Sequence, residues 1–451
     1  MSSAIIWPTL WYLVAASRPF GSWLQIWGVP LPGGSGNAED GSIIDRLFYG
    51  ALGMIGLYVL SRRRCNWGII LRENAALTIL LIYMLLSIAW SDYPFVSFKR
   101  FVKLFASVSM ALVVLSEPNR VEAITTVIRR SAYICIPMSI VLIRYFRNLG
   151  VAFDYMGTSS SWQGVATSKN TLGQVAMTSA LCFIWERVRR GNPKEGRWID
   201  FLYIAMSMYL LKGQEGHISM TSLSVFAVGL SVFLMLQRFK HRPAAAGLFF
   251  KVATGGIFAL LTLVIVHSVV GFSEDSMFGE MITTFGRDLT LTGRTEIWDD
   301  VYQIAARNPI FGVGFGGFWI GREANIPWNA NMSWVLGQSH DGYVDAYLQL
   351  GWMGFFLLAA VFLSSIKRIC QLFESDFEYA RFCMVFFCVI IFVNITETTL
   401  LRGDHNMWFL FLVVILAAPR YAFAGGAEEE PAVTPEIEAQ SETGWEPAAH
   451  S

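Results

Sequence analysis

The chain has 451 residues, 54% hydrophobic and only 15% charged, with a mean hydropathy of +0.47. It is too apolar for a soluble globular protein and reads as an all-α polytopic membrane protein. Lys plus Arg and Asp plus Glu stand at 34 each, so net charge points to no nucleic-acid partner, and only the placement of charge along the chain is informative.

A helix crossing about 30 Å of hydrocarbon needs about 20 residues. Apolar runs near that length are expected to span at 5–29, 43–60, 74–91, 98–116, 131–149, 170–187, 198–212, 218–236, 248–271, 342–366, 381–400 and 405–420. These give about twelve transmembrane helices: nine within residues 1–271 and three within 342–423, flanking a large external loop at 272–341 that contains short helices. The Ala-, Glu-, Pro- and Thr-rich tail at 424–451 is expected to be disordered and cytoplasmic. Basic residues mark cytoplasmic connections. Arg62-Arg63-Arg64, Arg129-Arg130, Arg187 to Arg197, Arg238 to Arg242 and Lys367-Arg368 fall on one side under this count, which leaves loop 272–341 facing outward.

Smaller features are expected along the way. Residues 120–130 read as a short amphipathic helix on the cytoplasmic face, and Gly33-Gly34-Ser35-Gly36 as an external turn. The N-terminus lacks a basic n-region, so no cleavable signal is expected. The six cysteines show no metal-ligand spacing, so no disulfide, metal centre or other cofactor is expected.

Cations on the outward side are disfavoured by the same orientation rule and are therefore the ones to ask about. Lys99, Arg100 and Lys103 follow Asp92-Tyr93-Pro94 in the first turns of a span, where charge is costly unless paired or wet. Arg144 and Arg147 read equally well as snorkelling side chains. Lys169 and Asn170 stand at the mouth of the sixth span, after Trp162-Gln163-Gly164 and Ser168, where a cation and an amide suit an anionic leaving group and a polyhydroxylated acceptor.

Within 272–341, nine acids outnumber four arginines, so Arg294 is either aimed at one anionic group, for which its planar fork suits phosphate, or paired to a loop acid such as Asp299 or Asp300. Thr292 or Thr295 is placed to cap a helix running through Trp298 and Val301 to Asn308-Pro309. The run Gly312-Val313-Gly314-Phe315-Gly316-Gly317 offers backbone that can approach a ligand, or a set of turns with an aromatic anchor. His340 is expected in the first turn of the tenth span, where backbone N–H groups favour a neutral, proton-accepting imidazole; a simple interfacial cap is the other reading. Tyr343, Tyr347, Gly351 and Gly354 would share its face, the glycines admitting a second helix. Glu397, Arg402 and His405 could add to the rim.

Thr292-Gly293-Arg294, Asn308-Pro309 before Gly312-Val313-Gly314, and His340-Asp341 with Gly351 and Gly354 resemble the O-antigen ligase and polymerase superfamily of bacterial envelopes. Asp341 stands where that pattern usually has Asn, Ser or Gln. The stretch from Trp162-Gln163-Gly164 to Ser168-Lys169-Asn170 is similar to the exopolysaccharide polymerases of that group. One element departs: the Ser-Arg-Thr or Ser-Lys-Thr expected at the eighth span is Ser219-Met220-Thr221 here, with His217 as a stand-in cation.

The resemblance implies a metal-independent glycosyltransferase of the bacterial inner membrane with its site facing the periplasm. It would pass a glycan from a polyprenyl (undecaprenyl) diphosphate carrier to an acceptor sugar hydroxyl of a glycan or lipid-linked glycan, with membrane lipids, a flippase and chain-length regulators as partners. His340 would be the base and Arg294 the catalytic cation; Lys169, Asn170, Arg100, Tyr343 and Asp341 would bind diphosphate or sugar. A ligase acting on lipid A-core shares these residues. A transporter is the third reading, opposed by the lack of an internal repeat and by polar motifs at the outer mouth rather than mid-membrane.

Overall fold

A computed structural model of the chain describes residues 1–29, 42–153, 160–190, 197–214, 219–240, 242, 244–245, 247–248, 294–320 and 337–423. The expected span 248–271 beyond its first residue, the turn at 33–36, His217, Thr292 and the tail from 424 lie outside them. The described chain is mostly helical: α1 Ile6–Ala15, α2 Phe20–Ile26, α3 Ile43–Arg62, α4 Trp67–Glu73, α5 Ala75–Ser87, α6 Pro94–Leu115, α7 Arg120–Tyr145, α8 Arg147–Gly150, α9 Lys169–Arg190, α10 Arg197–Lys212, α11 Met220–Arg238, α12 Arg294–Ala305, α13 Gly342–Ser375, α14 Phe377–Val393 and α15 Asn406–Ile415. A hairpin of β1 Val151–Phe153 and β2 Ser160–Trp162 pairs antiparallel, Val151 opposite Trp162.

Among the described residues four helices, α3, α7, α11 and α13, are long and apolar enough to cross a membrane, or five if α4 and the bent stretch Ala75–Trp90, at 97°, form one broken span. The other expected spans within the described residues carry shorter or more polar helices. The first is split between α1 and α2, with Pro19 at the N-cap of α2. The last shrinks to the ten residues of α15, about 15 Å of rise. Beyond it Asn74 takes over the backbone, its amide clasping the Ala417 N–H at 2.7 Å and carbonyl at 2.8 Å.

The amphipathic helix expected at 120–130 is not separate. Asn119 caps it by accepting from the Glu122 N–H at 3.1 Å, and its buried stripe of Ala123, Ile124, Val127 and Ile128 continues unbroken into Ala132, Cys135 and Ile136. One helix of 26 residues results. In lipid, apolar rings gain little by leaving their surroundings, so close packing and internal hydrogen bonds hold helices together. The centre does both: Phe362, Phe382, Phe386, Phe387, Phe411 and Trp408 are fully buried, and the Trp408 indole donates to Ser107 Oγ at 3.1 Å.

The glycine pattern after His340 works differently from the helix contact expected of it. Gly351 breaks α13, with φ 62° and ψ −166°, a conformation essentially restricted to glycine. A Cβ there would sit 2.4 Å from the Ile310 carbonyl. The glycine run packs its backbone into this break. Val313 N–H donates to the Leu348 carbonyl at 3.0 Å, Gly314 N–H to the Gln349 carbonyl at 2.9 Å, and the Tyr83 hydroxyl to the Leu350 carbonyl at 2.9 Å. These satisfy carbonyls that a continuous helix would have used. The run thus approaches another backbone.

Candidate functional site

Three sequence-distant candidate residues, Arg294, His340 and Asn170, meet on a fourth, Glu397. Arg294 Nη2 lies 3.4 Å from Glu397 Oε1, the Asn170 amide donates to the same oxygen, and His340 Nδ1 is 3.7 Å from Oε2. Glu397 is 5% exposed. Each partner arrives on a different element: Asn170 in the first turn of α9, Arg294 at the start of α12, His340 just before α13, and Glu397 in the turn after α14.

That turn is built by Asn394. Its side-chain oxygen accepts from Thr399 N–H at 2.9 Å and Leu400 N–H at 3.0 Å, and its amide donates to the Ile390 carbonyl at 2.8 Å and Thr399 Oγ1 at 2.9 Å. Its own carbonyl accepts from Gly342 N–H at 2.8 Å, tying the turn to the start of α13.

His340 is not in the first turn of α13. Asp341 is the N-cap, its carboxylate accepting from Tyr343 N–H at 2.8 Å and Val344 N–H at 2.9 Å. His340 precedes it at φ 60°, in the left-handed region that non-glycine residues seldom occupy and that clusters at functional positions. Its Nδ1 stands 3.1 Å from Gln338 Nε2. Arg402 Nη1 donates to Gln338 Oε1 at 3.1 Å, which turns the amide group toward the histidine. Nε2 of His340 has no partner among the described residues.

Asp341 and Tyr343 both make contacts that hold the fold. Enclosure by surrounding protein pushes the Asp341 carboxyl up to about 7, against the two backbone N–H groups that favour its charge. Tyr343 is buried and its hydroxyl donates to the Ile391 carbonyl at 2.9 Å. Arg100 binds the carbonyls of Gly316 at 2.8 Å and Trp319 at 2.7 Å, so those donors fasten the glycine run. Its stem, with Lys103, Asp45, Asp404, Arg402 and Gln349, lines a cleft of about 270 Å³. Lys103 Nζ pairs with Asp404 at 2.9 Å; burial alone would raise the Asp404 carboxyl, but Lys103 and Arg402 hold it well below the usual carboxylate range.

The segment from Trp162 to Asn170 divides in two. Gly164, at φ 53°, packs on Ser139 of α7, and Arg18 donates to the carbonyls of Gly164 at 3.1 Å, Ala166 at 3.3 Å and Leu149. Ser168 then caps α9 by accepting from Thr171 N–H at 3.1 Å, leaving Lys169 half-buried at its first turn with no ion pair among the described residues. Ser219 donates to Asn170 Oδ1 at 3.1 Å and Thr221 meets Thr396 at 3.0 Å, so the Ser219-Met220-Thr221 stretch borders the cluster without supplying a cation.

Glu397 entered the sequence reading only as a rim residue. It is a lone acid in an apolar region with no neighbouring pattern, and its centrality comes from tertiary contacts alone. Among the described residues no three of His, Cys, Asp or Glu gather where a metal ion would sit.

Residues 202–359 match the family described as O-antigen ligase. This stretch holds Ser219, Arg294, the glycine run, His340 and Gly351, whereas Asn170 and Glu397 lie outside it. The exopolysaccharide production protein ExoQ of Rhizobium meliloti (strain 1021) is 26% identical over 304 residues, 64% of this chain and 64% of the relative's length. The chain thus spans a little under two thirds of that relative. The chain is thus similar to the O-antigen ligase family over residues 202–359 and, over a longer stretch, to a protein named for exopolysaccharide production.

Proposed function

We propose that the protein is a polysaccharide polymerase of the bacterial inner membrane, working at its periplasmic face and moving a glycan from a polyprenyl diphosphate to an acceptor sugar hydroxyl. The observation that carries this reading is the convergence of Arg294, His340 and Asn170 on buried Glu397. The acceptor oxygen forms the new bond to the anomeric carbon, the bond from that carbon to the diphosphate breaks, and the acceptor proton passes to His340 Nε2. Arg294 and Lys169 take the negative charge that gathers on the leaving diphosphate, without need of a metal ion.

The arrangement of the imidazole sets a condition on this step. With Gln338 donating to Nδ1, a neutral ring carries its hydrogen on Nε2 and cannot accept there. Base action requires the hydrogen on Nδ1, facing Glu397 Oε2, and the 3.7 Å separation must shorten for a hydrogen bond to form. Glu397 then orients the ring and offsets the charge of the imidazolium, while Arg294 and Asn170 hold its other oxygen.

Twelve crossings with Arg294 and His340 on the outer side complete the reading. Reporter fusions at residues 165 and 320 are expected to score as periplasmic, and a cytoplasmic score would overturn the orientation. Purified protein supplied with a lipid-linked repeat unit is expected to release polyprenyl diphosphate. His340→Ala should abolish that release; retained release would remove His340 from the mechanism. Deleting the gene is expected to eliminate exopolysaccharide and leave the lipopolysaccharide ladder intact, whereas the converse would make the protein a ligase.

A further inference from the structure

The bundle has a second charged feature at its other end. α13 starts beside His340 and finishes beyond Leu372; α14 starts at Asp376 and finishes in the Asn394 turn. A groove of about 550 Å³ lined by Asn119, Arg120, Leu372, Asp376, Tyr379 and Arg420 is therefore separated from Glu397 by the length of α14, about 25 Å for its 17 residues.

Its arginines lack counter-charges. Arg120 Nη2 donates to the Ala418 carbonyl and Arg420 Nη2 to the Pro118 carbonyl at 3.2 Å, and neither forms an ion pair among the described residues. Arg120 Nε is buried without a hydrogen-bond partner, and so is Nη2 of Arg368, which acts together with Arg120 on the buried Tyr379. The one carboxylate lining the groove, Asp376, is engaged in accepting from Tyr379 N–H at 3.1 Å. Glu122, one turn into α7, is held by the Asn119 amide at 3.1 Å. The N-termini of α7 and α14 also open here and add positive potential.

A guanidinium withdrawn from water without an anion is costly, and its forked donors match phosphate oxygens. Basic pockets between membrane helices suit lipid phosphates for the same reason. We propose that this groove binds a phosphate group between Arg120 and Arg420, at the end of the bundle opposite the transfer site. An anionic phospholipid headgroup and a soluble phosphate compound share that chemistry and differ in the acyl chains.

The full chain, purified in detergent, distinguishes them. Native mass spectrometry with cardiolipin against phosphatidylcholine reads the lipid arm, and thermal unfolding with sodium pyrophosphate against sodium chloride at equal ionic strength reads the soluble arm. Preferential cardiolipin retention lost at least about tenfold in the double variant Arg120→Gln/Arg420→Gln supports the site with a lipid source. A pyrophosphate-induced stabilisation absent from the same variant supports it with a soluble source. If the double variant does not fold, Arg420→Gln alone, an exposed side chain, is expected to lose at least about fivefold in the arm that responds. Equal behaviour of wild type and variant in both arms overturns the proposal.

Discussion

Glu397 Oε1 lies 3.4 Å from Arg294 Nη2, across 103 residues of sequence, and this contact makes the cluster a charge-balanced unit rather than a bare cationic patch. A carboxylate buried among cations and amides holds their geometry, and it must be outcompeted when a diphosphate approaches Arg294. Glu397→Gln keeps the shape and removes the charge. It is expected to lower release of polyprenyl diphosphate by about a hundredfold or more. Glu397→Ala should do so together with a lower apparent melting temperature, because Arg294 and Asn170 lose their shared acceptor.

Arg100 is expected to matter for stability before chemistry. Two of its donors are committed to the carbonyls of Gly316 and Trp319, and hydrogen bonds from a charged group contribute about 1.5–3 kcal/mol each. Arg100→Ala should therefore lower the apparent melting temperature measured in detergent by several degrees. A variant with an unchanged melting temperature and a raised KM for the lipid-linked donor would instead return Arg100 to the diphosphate site.

How far the site could be read from the sequence depends on what kind of signal each residue leaves. Asn170, Arg294 and His340 sit in patterned neighbourhoods beside apolar runs or within the long polar stretch between them, and the structure brings all three together. Most helix positions were equally legible, since apolar runs of fixed length leave few alternatives. Glu397 left no local trace. Gly351 left a misleading one: glycines at 351 and 354 mimic a helix-packing stripe, and only the backbone shows that the first breaks the helix.

Gly351→Ala tests that break. The conformation is essentially closed to residues with a Cβ, and the added carbon would meet the Ile310 carbonyl at 2.4 Å. Strain of this kind costs about 1–3 kcal/mol before the clash is counted. The variant is expected to be poorly folded, seen as loss of a monodisperse peak in size-exclusion chromatography. Gly354→Ala carries no such backbone strain but should also destabilise, because its added carbon would meet Leu350 Cβ, an atom held by the backbone, at 2.1 Å.

Asp341 sets a pH dependence of stability. Its carboxyl is raised from the ordinary 3.8 to about 7 in the folded protein, so the native state binds the proton more tightly than the unfolded chain. The contribution is fully present below about 4 and is lost as pH rises toward 7. Asp341→Asn, which still offers a capping oxygen, is expected to melt higher than wild type at pH 8, with the difference closing toward pH 4. Parallel melting curves across that range would show that Asp341 does not titrate there.

Asn394 fastens the start of α13 through its own carbonyl and folds the turn bearing Glu397 through its side chain. The interval between Asn394 and Glu397 is therefore a fixed spacer. Adding or removing one residue there would carry the carboxylate away from His340 even with every site residue retained, so the length of this turn is as much a requirement of the cluster as the residues that compose it.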